Sequence, residues 1–189
     1  MSNYFSYFPT IPHDLTNVGE TIDVTNILKR FRVKPDIKEE IGTYYDYLIQ
    51  PGDRPDIIAQ KYYGNGAYAW IVILFNEIAD PVMDWPMFDR QFIDFLESKY
   101  GSLSLAQNTV HEYRRILRDA YVDIDGSRYE KLYVVVDQTS YEALGESERE
   151  MVTKYDYEEE LNETKRKIKI LDKRYLTQIK NEVKTILRD

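Results

Sequence analysis

The amino-acid sequence predicts an α+β protein built on a βααβ module near residues 45–80, with an extended N-terminal arm and a long C-terminal helix. Three observations carry this expectation. Residues 44–50, YYDYLIQ, are rich in β-formers and stop at Pro51-Gly52. Residues 53–76 hold two apolar-periodic stretches separated by Gly64-Asn65-Gly66. From residue 157 onward the apolar residues step by three and four to the end of the chain.

Local signals justify each element in turn. Residues 1–20 carry Tyr4, Phe5, Tyr7 and Phe8 ahead of Pro9 and Pro12, without helical or strand periodicity. They predict an extended arm whose aromatics must dock on something. Residues 23–31 predict a short helix capped by Asp23 or Thr25 and ended before Pro35. In the module, Tyr47 and Ile49 alternate on the first strand and Gly52-Asp53 makes the turn. Asp53 is expected to cap the first helix, and Pro55 falls in its first turn, where a missing N–H costs nothing. The second helix covers roughly 67–76 and ends at Asn76; a loop with Asp80-Pro81 and the break Trp85-Pro86 follow. Residues 87–101 set Phe88, Phe92, Phe95 and Leu96 on one helical face, with Gly101 just past its end. Residues 109–118 and 129–137 read as strands, with Asp125-Gly126 as the turn signal between them. The expected organisation is therefore 1–43 for the arm and short helix and 44–101 for the module with its following helix. Residues 102–156 then form a β-rich segment completing the domain, and 157–189 the C-terminal helix.

Composition narrows the function. The 189 residues contain 25 basic and 33 acidic side chains, a net charge of −8, where phosphate neutralisation would ask for a basic surplus. Nucleic acid is therefore not an expected partner. No apolar run is long enough to span a membrane, and the first residues lack a signal-peptide pattern. There is no cysteine, which removes disulfides, thiolate metal sites and a thiol nucleophile. The 17 tyrosines suit surfaces that are wet before assembly and dry after it.

Candidate chemical motifs fail on their context. Gly64-x-Gly66-x-x-Ala69 follows a helix rather than the strand a dinucleotide fingerprint needs. His111-Glu112 lacks a second histidine, because Arg115 stands at the i+4 position and His13 is the only other histidine. Asp123-x-Asp125-Gly126 fits a hairpin turn better than a calcium loop, since Tyr121 occupies the preceding ligand position. Glu77, Asp80 and Asp84 fit turns and caps better than a carboxylate pair. No enzyme activity, catalytic residue, cofactor or metal is expected. The residues singled out for partner binding are the arm aromatics Tyr4, Phe5, Tyr7 and Phe8 and the C-terminal stripe Ile168, Leu171, Tyr175, Ile179, Val183 and Ile186. That stripe has two readings: packing on its own core, or an intermolecular helical bundle.

Residues 47–76 resemble the LysM module: Tyr47-Leu-Ile49-Gln-Pro51-Gly52-Asp53, then Ile58-Ala59-Gln-Lys-Tyr62, then Trp70-Ile71 and Asn76. In that likeness Ile58, Ala59 and Tyr62 face Trp70, Ile71 and Leu74, and Trp85 completes the scaffold. LysM modules commonly bind N-acetylglucosamine glycans beside the first strand–helix loop. Here Arg54-Pro55 occupies that loop and the usual closing turn is missing, so weak or absent glycan binding is expected, with residues 129–137 as a source of the second strand. The ordered set YFSYFP, GDRPDIIAQKYYG, WIVILFNEIADP, DWP and YEEELNETKRKIKIL resembles, over nearly the whole chain, the LysM-containing baseplate wedge protein of contractile-tailed (T4-like) bacteriophages. The resemblance implies a non-enzymatic virion component, made in the host cytoplasm and placed in the tail baseplate. It would contact the wedge's helical core and other wedge proteins and link neighbouring wedges. The competing reading is a LysM-type peptidoglycan- or chitin-binding module of a tail-associated, cell-wall-targeting protein.

Overall fold

The computed structural model describes residues 4–29, 32–33 and 42–188, and the chain divides into two compact units, 1–86 with 165–189, and 87–164. The first unit opens with a 3-10 turn at Tyr4–Tyr7 and a hairpin of β1 (Thr10–His13) and β2 (Ile22–Thr25). It continues through β3 (Tyr44–Leu48), α1 (Pro55–Tyr63) and α2 (Ala69–Phe75). The second unit runs α3 (Asp89–Tyr100), α4 (Leu103–Asn108), β4 (Val110–Arg118), β5 (Tyr121–Val122), β6 (Arg128–Tyr129), β7 (Leu132–Val136), α5 (Gln138–Glu142), β8 (Arg149–Thr153) and α6 (Lys154–Thr164). The chain then returns to the first unit as β9 (Lys167–Leu171) and α7 (Leu176–Arg188). The fold is α+β, as the sequence predicts.

Four expectations about elements need correction. The extended arm is instead a 3-10 turn and a strand, and the short helix expected over 23–31 begins as β2. Residues 30, 31 and 35 lie outside the described residues. Ile22, Val24 and Thr25 are β-branched, and the Asp14 carboxylate shapes the hairpin connection by accepting the N–H groups of Thr16 and Gly19. The single helix expected over 157–189 is in fact α6, β9, a 3-10 turn and α7. Finally, the module's closing strand is β9 rather than residues 129–137: β3 pairs antiparallel with β9, with Tyr47 opposite Ile168 and Tyr45 opposite Ile170.

The module's core follows from its local signals. Gly52 takes a φ of +86° in the turn, and Gly64 closes α1 in the left-handed region with its N–H on the Gln60 carbonyl. Pro55 starts α1, but the residue at the N-cap position is Arg54, not Asp53, and no side chain caps the helix. The Asp53 carboxylate is taken up elsewhere: it accepts the Tyr47 hydroxyl at 2.6 Å and the Gln50 N–H at 2.9 Å, locking the turn. Ile58, Ala59 and Tyr63 of α1 are buried with Trp70, Ile71, Val72 and Phe75 of α2. Tyr63 thus takes the inward position expected of Tyr62, which is exposed and lies edge-on to Tyr47.

The second unit has a different interior. Phe92, Leu96 and Ala106 form its small apolar cluster. Its sheet has the order β7-β4-β8, and the turn at Gly126 joins the short β5–β6 ladder. Buried Arg114 on β4 binds Glu160 of α6 through two parallel bonds of 2.8 Å and Glu112 at 2.6 Å, which push its pKa further above its ordinary value. Buried Glu158 accepts Lys99 and the Tyr100 hydroxyl, each at 2.6 Å. Burial opposes its ionisation, yet these bonds outweigh burial and hold the carboxyl below its usual value.

Candidate assembly surface

Asn76 ends α2 and joins it to β9. Its side-chain amide donates to the carbonyls of Val72 and Lys169, both at 2.8 Å, and its oxygen accepts the Lys169 N–H at 2.7 Å. The amide therefore behaves as an extra peptide unit on the strand's backbone, a role that needs asparagine's adjacent donor and acceptor. Trp85 is buried and donates its indole N–H to the Asp53 carbonyl at 3.0 Å, fixing the loop after α2 to the turn before α1. Within that loop Asp84 accepts the N–H groups of Ala79 and Asp80, which lower its pKa, and Asp80 accepts those of Val82 and Met83. These two carboxylates are turn formers.

The four arm aromatics do not act alike. Tyr4 stacks on Trp70 with centroids 5.3 Å apart, and Tyr7 is buried against the same indole at 5.8 Å. Phe8 meets Tyr4 edge-on at 5.1 Å, whereas Phe5 is 52% exposed. Lys184 of α7 lies over the Tyr7 ring. Tyr4 and Tyr7 thus cover Trp70 within their own unit, Phe8 packs on Tyr4, and Phe5 faces mainly water.

The C-terminal stripe is divided in the same way. Ile168 and Leu171 are buried on β9, and Leu176, Val183 and Leu187 are the buried positions of α7. Tyr175 and Ile179 are half-buried, and Ile186 is exposed. What the stripe does share is a groove of about 610 Å³: Leu171, Tyr175, Ile179, Val183 and Ile186 all line it, together with Leu74, Thr43, Val33 and the polar side chains Arg32, Gln178 and Glu182. The buried Asp172 carboxylate follows Leu171 in the chain. Asp172 accepts the Tyr45 hydroxyl at 2.8 Å and the Arg174 guanidinium at 2.9 Å, and Arg174 holds the carboxyl far below the carboxylate range. The Tyr63 hydroxyl donates to the Leu171 carbonyl, and burial pushes that phenol well above its ordinary value. The sequence pattern missed Leu74 and Val33, which no periodicity links to α7.

The groove beside the amphipathic α7 is lined mainly by apolar side chains, as binding surfaces are. Residues 4–187 match the family described as base plate wedge protein 53. The chain belongs to that family. No curated protein matches it. As a base plate wedge protein it is a structural protein of the phage tail baseplate, and its place is in the virion. Among the described residues no helix is long and apolar enough to cross a membrane.

Proposed function

We propose that this base plate wedge protein binds the inner baseplate core through the α7 groove and helps to link neighbouring wedges during tail assembly. The observation that carries the reading is the convergence of Leu171, Tyr175, Ile179, Val183 and Ile186 on that one groove. A helix from a partner, laid along α7, would cover Ile179 and the exposed Ile186 in the manner of helix-in-groove recognition. In this reading the LysM-like module, with Gly52, Asp53, Ile58, Ala59 and Asn76, is scaffold and not a glycan site. The loops that would flank a glycan are closed on each other by the Trp85–Asp53 bond. The protein works without catalysis.

The test is co-assembly. Val183 is buried in its own unit, so charge there would unfold the unit before it reported on a partner. Ile179→Glu/Ile186→Glu keeps that position and is expected to retain the wild-type circular dichroism while failing to co-purify with the wedge proteins. Wild-type recovery of the complex by the double variant would end the proposal. Titration with chitin oligomers separates the scaffold from a glycan site: the amides of residues 51–56 and 76–81 are expected to stay unshifted.

A further inference from the structure

Successive residues of a strand point to opposite faces, so the ladders of the second unit's sheet sort its side chains into two sets. One face carries Val135, Arg114 and Glu150 in a row across the three strands, with buried Val152 in the next row. On this face α6 brings Glu160 to Arg114 through two parallel bonds of 2.8 Å. The other face carries Val134, Arg115 and Arg149 in one row and Val136, Tyr113 and Met151 in the next. Tyr141 of α5 packs on Tyr113 there, with ring centroids 4.7 Å apart. The rest of that face is open: Arg115 is exposed, and Leu132, Val134 and Met151 are each half exposed.

The charges on the open face say what it fits. Arg115 and Arg149 stand directly opposite each other, and among the described residues neither meets a carboxylate. Arg149 lies over the Tyr141 ring at 5.0 Å. Like charges facing each other across a ladder weaken the sheet, and a carboxylate brought between them turns that repulsion into two charge-assisted contacts. We propose that this face docks an amphipathic helix of a partner protein that carries Asp or Glu side chains within its apolar stripe. The covered face supplies the pattern, because α6 there already delivers a carboxylate to the arginine next to Arg115. The width fits as well: the outer strands of a three-stranded sheet stand about 10 Å apart, the diameter of one helix. Leu132, Val134 and Met151 flank the two guanidinium groups, a mixture that suits an apolar stripe and not a phosphate backbone. The chain's net charge of −8 also disfavours nucleic acid. This face belongs to the second unit and the α7 groove to the first, so either contact can fail without the other.

The test is photo-cross-linking in the assembled tail. The full-length chain, with half-exposed Val134 replaced by photo-reactive benzoylphenylalanine, is incorporated into tails and irradiated. The expected product joins position 134 to a helical segment of another protein with at least two Asp or Glu residues on its apolar side. Arg115→Glu/Arg149→Glu keeps a like-charge pair across the ladder and reverses its sign, so the urea midpoint should match wild type. The yield of the cross-linked product should nevertheless fall by about tenfold. Lysines in place of the acids on the cross-linked segment should restore it. Should the charge-reversed chain lose stability, Arg115→Gln/Arg149→Gln takes its place: it removes the repulsion, leaves the fold no weaker, and should still lower the yield by about threefold. A product formed with a basic segment, with nucleic acid or with a second copy of this chain overturns the proposal, as does the absence of any product. So does a yield that neither double variant lowers.

Discussion

The two units bury different things. Of the twenty buried hydrophobic residues among those described, sixteen belong to the first unit and four, Phe92, Leu96, Ala106 and Val152, to the second. The second unit buries Arg114, Glu158 and Asn162 around that small apolar cluster, where the first buries Thr43 and Asp172 beside a large one, and it leaves Leu117, Leu132, Val134, Val135 and Met151 open on its sheet. Buried charge is a weak source of stability and a strong source of geometry, because each ion must find its partners. Apolar burial is the reverse. The first unit is thus a self-sufficient scaffold drawn together from both ends of the chain. The second is a contiguous insertion between them whose interior is held in shape largely by paired charges.

The largest expected effect tests the scaffold. Trp70→Ala removes a buried indole and uncovers Tyr4 and Tyr7, and should cost about 3–5 kcal/mol. Urea titration followed by Trp85, the only other tryptophan, reads it within the same unit. Deleting residues 1–8 exposes the same indole from the other side and should also lower the midpoint; a truncated chain as stable as the intact one would return those aromatics to the role of a free arm.

For the second unit the matching substitution is Arg114→Ala. It leaves Glu112, Glu150 and Glu160 facing one another around a vacated site. The cost should be about 3 kcal/mol, at the low end for a broken buried pair because Glu160 is half exposed. Hydrogen exchange at the Val152 amide follows it. If stability fell by less than about 1 kcal/mol, the contrast between an ion-built and an oil-built interior would collapse.

How legible this was in the sequence depended on whether a signal was local. Gly52, Pro55, Gly64 and Gly101 mark boundaries by their own backbone chemistry, and the elements end where they stand. Residues 167–171 show the opposite case. Ile168, Leu171 and Tyr175 satisfy a helical step, while Ile168 and Ile170 satisfy a strand alternation, and KIKIL is too short for periodicity to decide. Pairing with β3, more than a hundred residues away, decides it. The groove was half legible for the same reason: α7 could be read from its pattern, but Leu74 and Val33 arrive only through the tertiary fold.

That long-range closure can be loosened by a smaller change. Asn76→Ala deletes three bonds between the end of α2 and the backbone, two of them to β9 at Lys169, at a cost of about 2 kcal/mol. The Lys169 amide should then exchange much faster, while amides of α1 change little. Uniform acceleration across the unit would mean that Asn76 is not a local latch between α2 and β9.

The smallest effect is a pH dependence confined to the module's turn. Burial, and then the hydrogen bond to Asp53, push the Tyr47 phenol up to about 12, against about 10 in an unfolded chain. A raised folded value means that the neutral hydroxyl contributes stability in full below about pH 10, and that this contribution is lost as the pH rises through about 12. Tyr47→Phe removes the hydroxyl and its bond, and should cost about 1 kcal/mol at neutral pH. Tyr45 and Tyr63 are raised too, so both proteins will weaken in alkali, and the informative quantity is the difference between them. That difference should be constant from pH 7 to 9 and shrink above pH 10, because the phenol then ionises in the unfolded chain while the folded protein still holds it neutral. Parallel urea midpoints for the two proteins across the whole range would show that the Tyr47–Asp53 bond does not hold the turn.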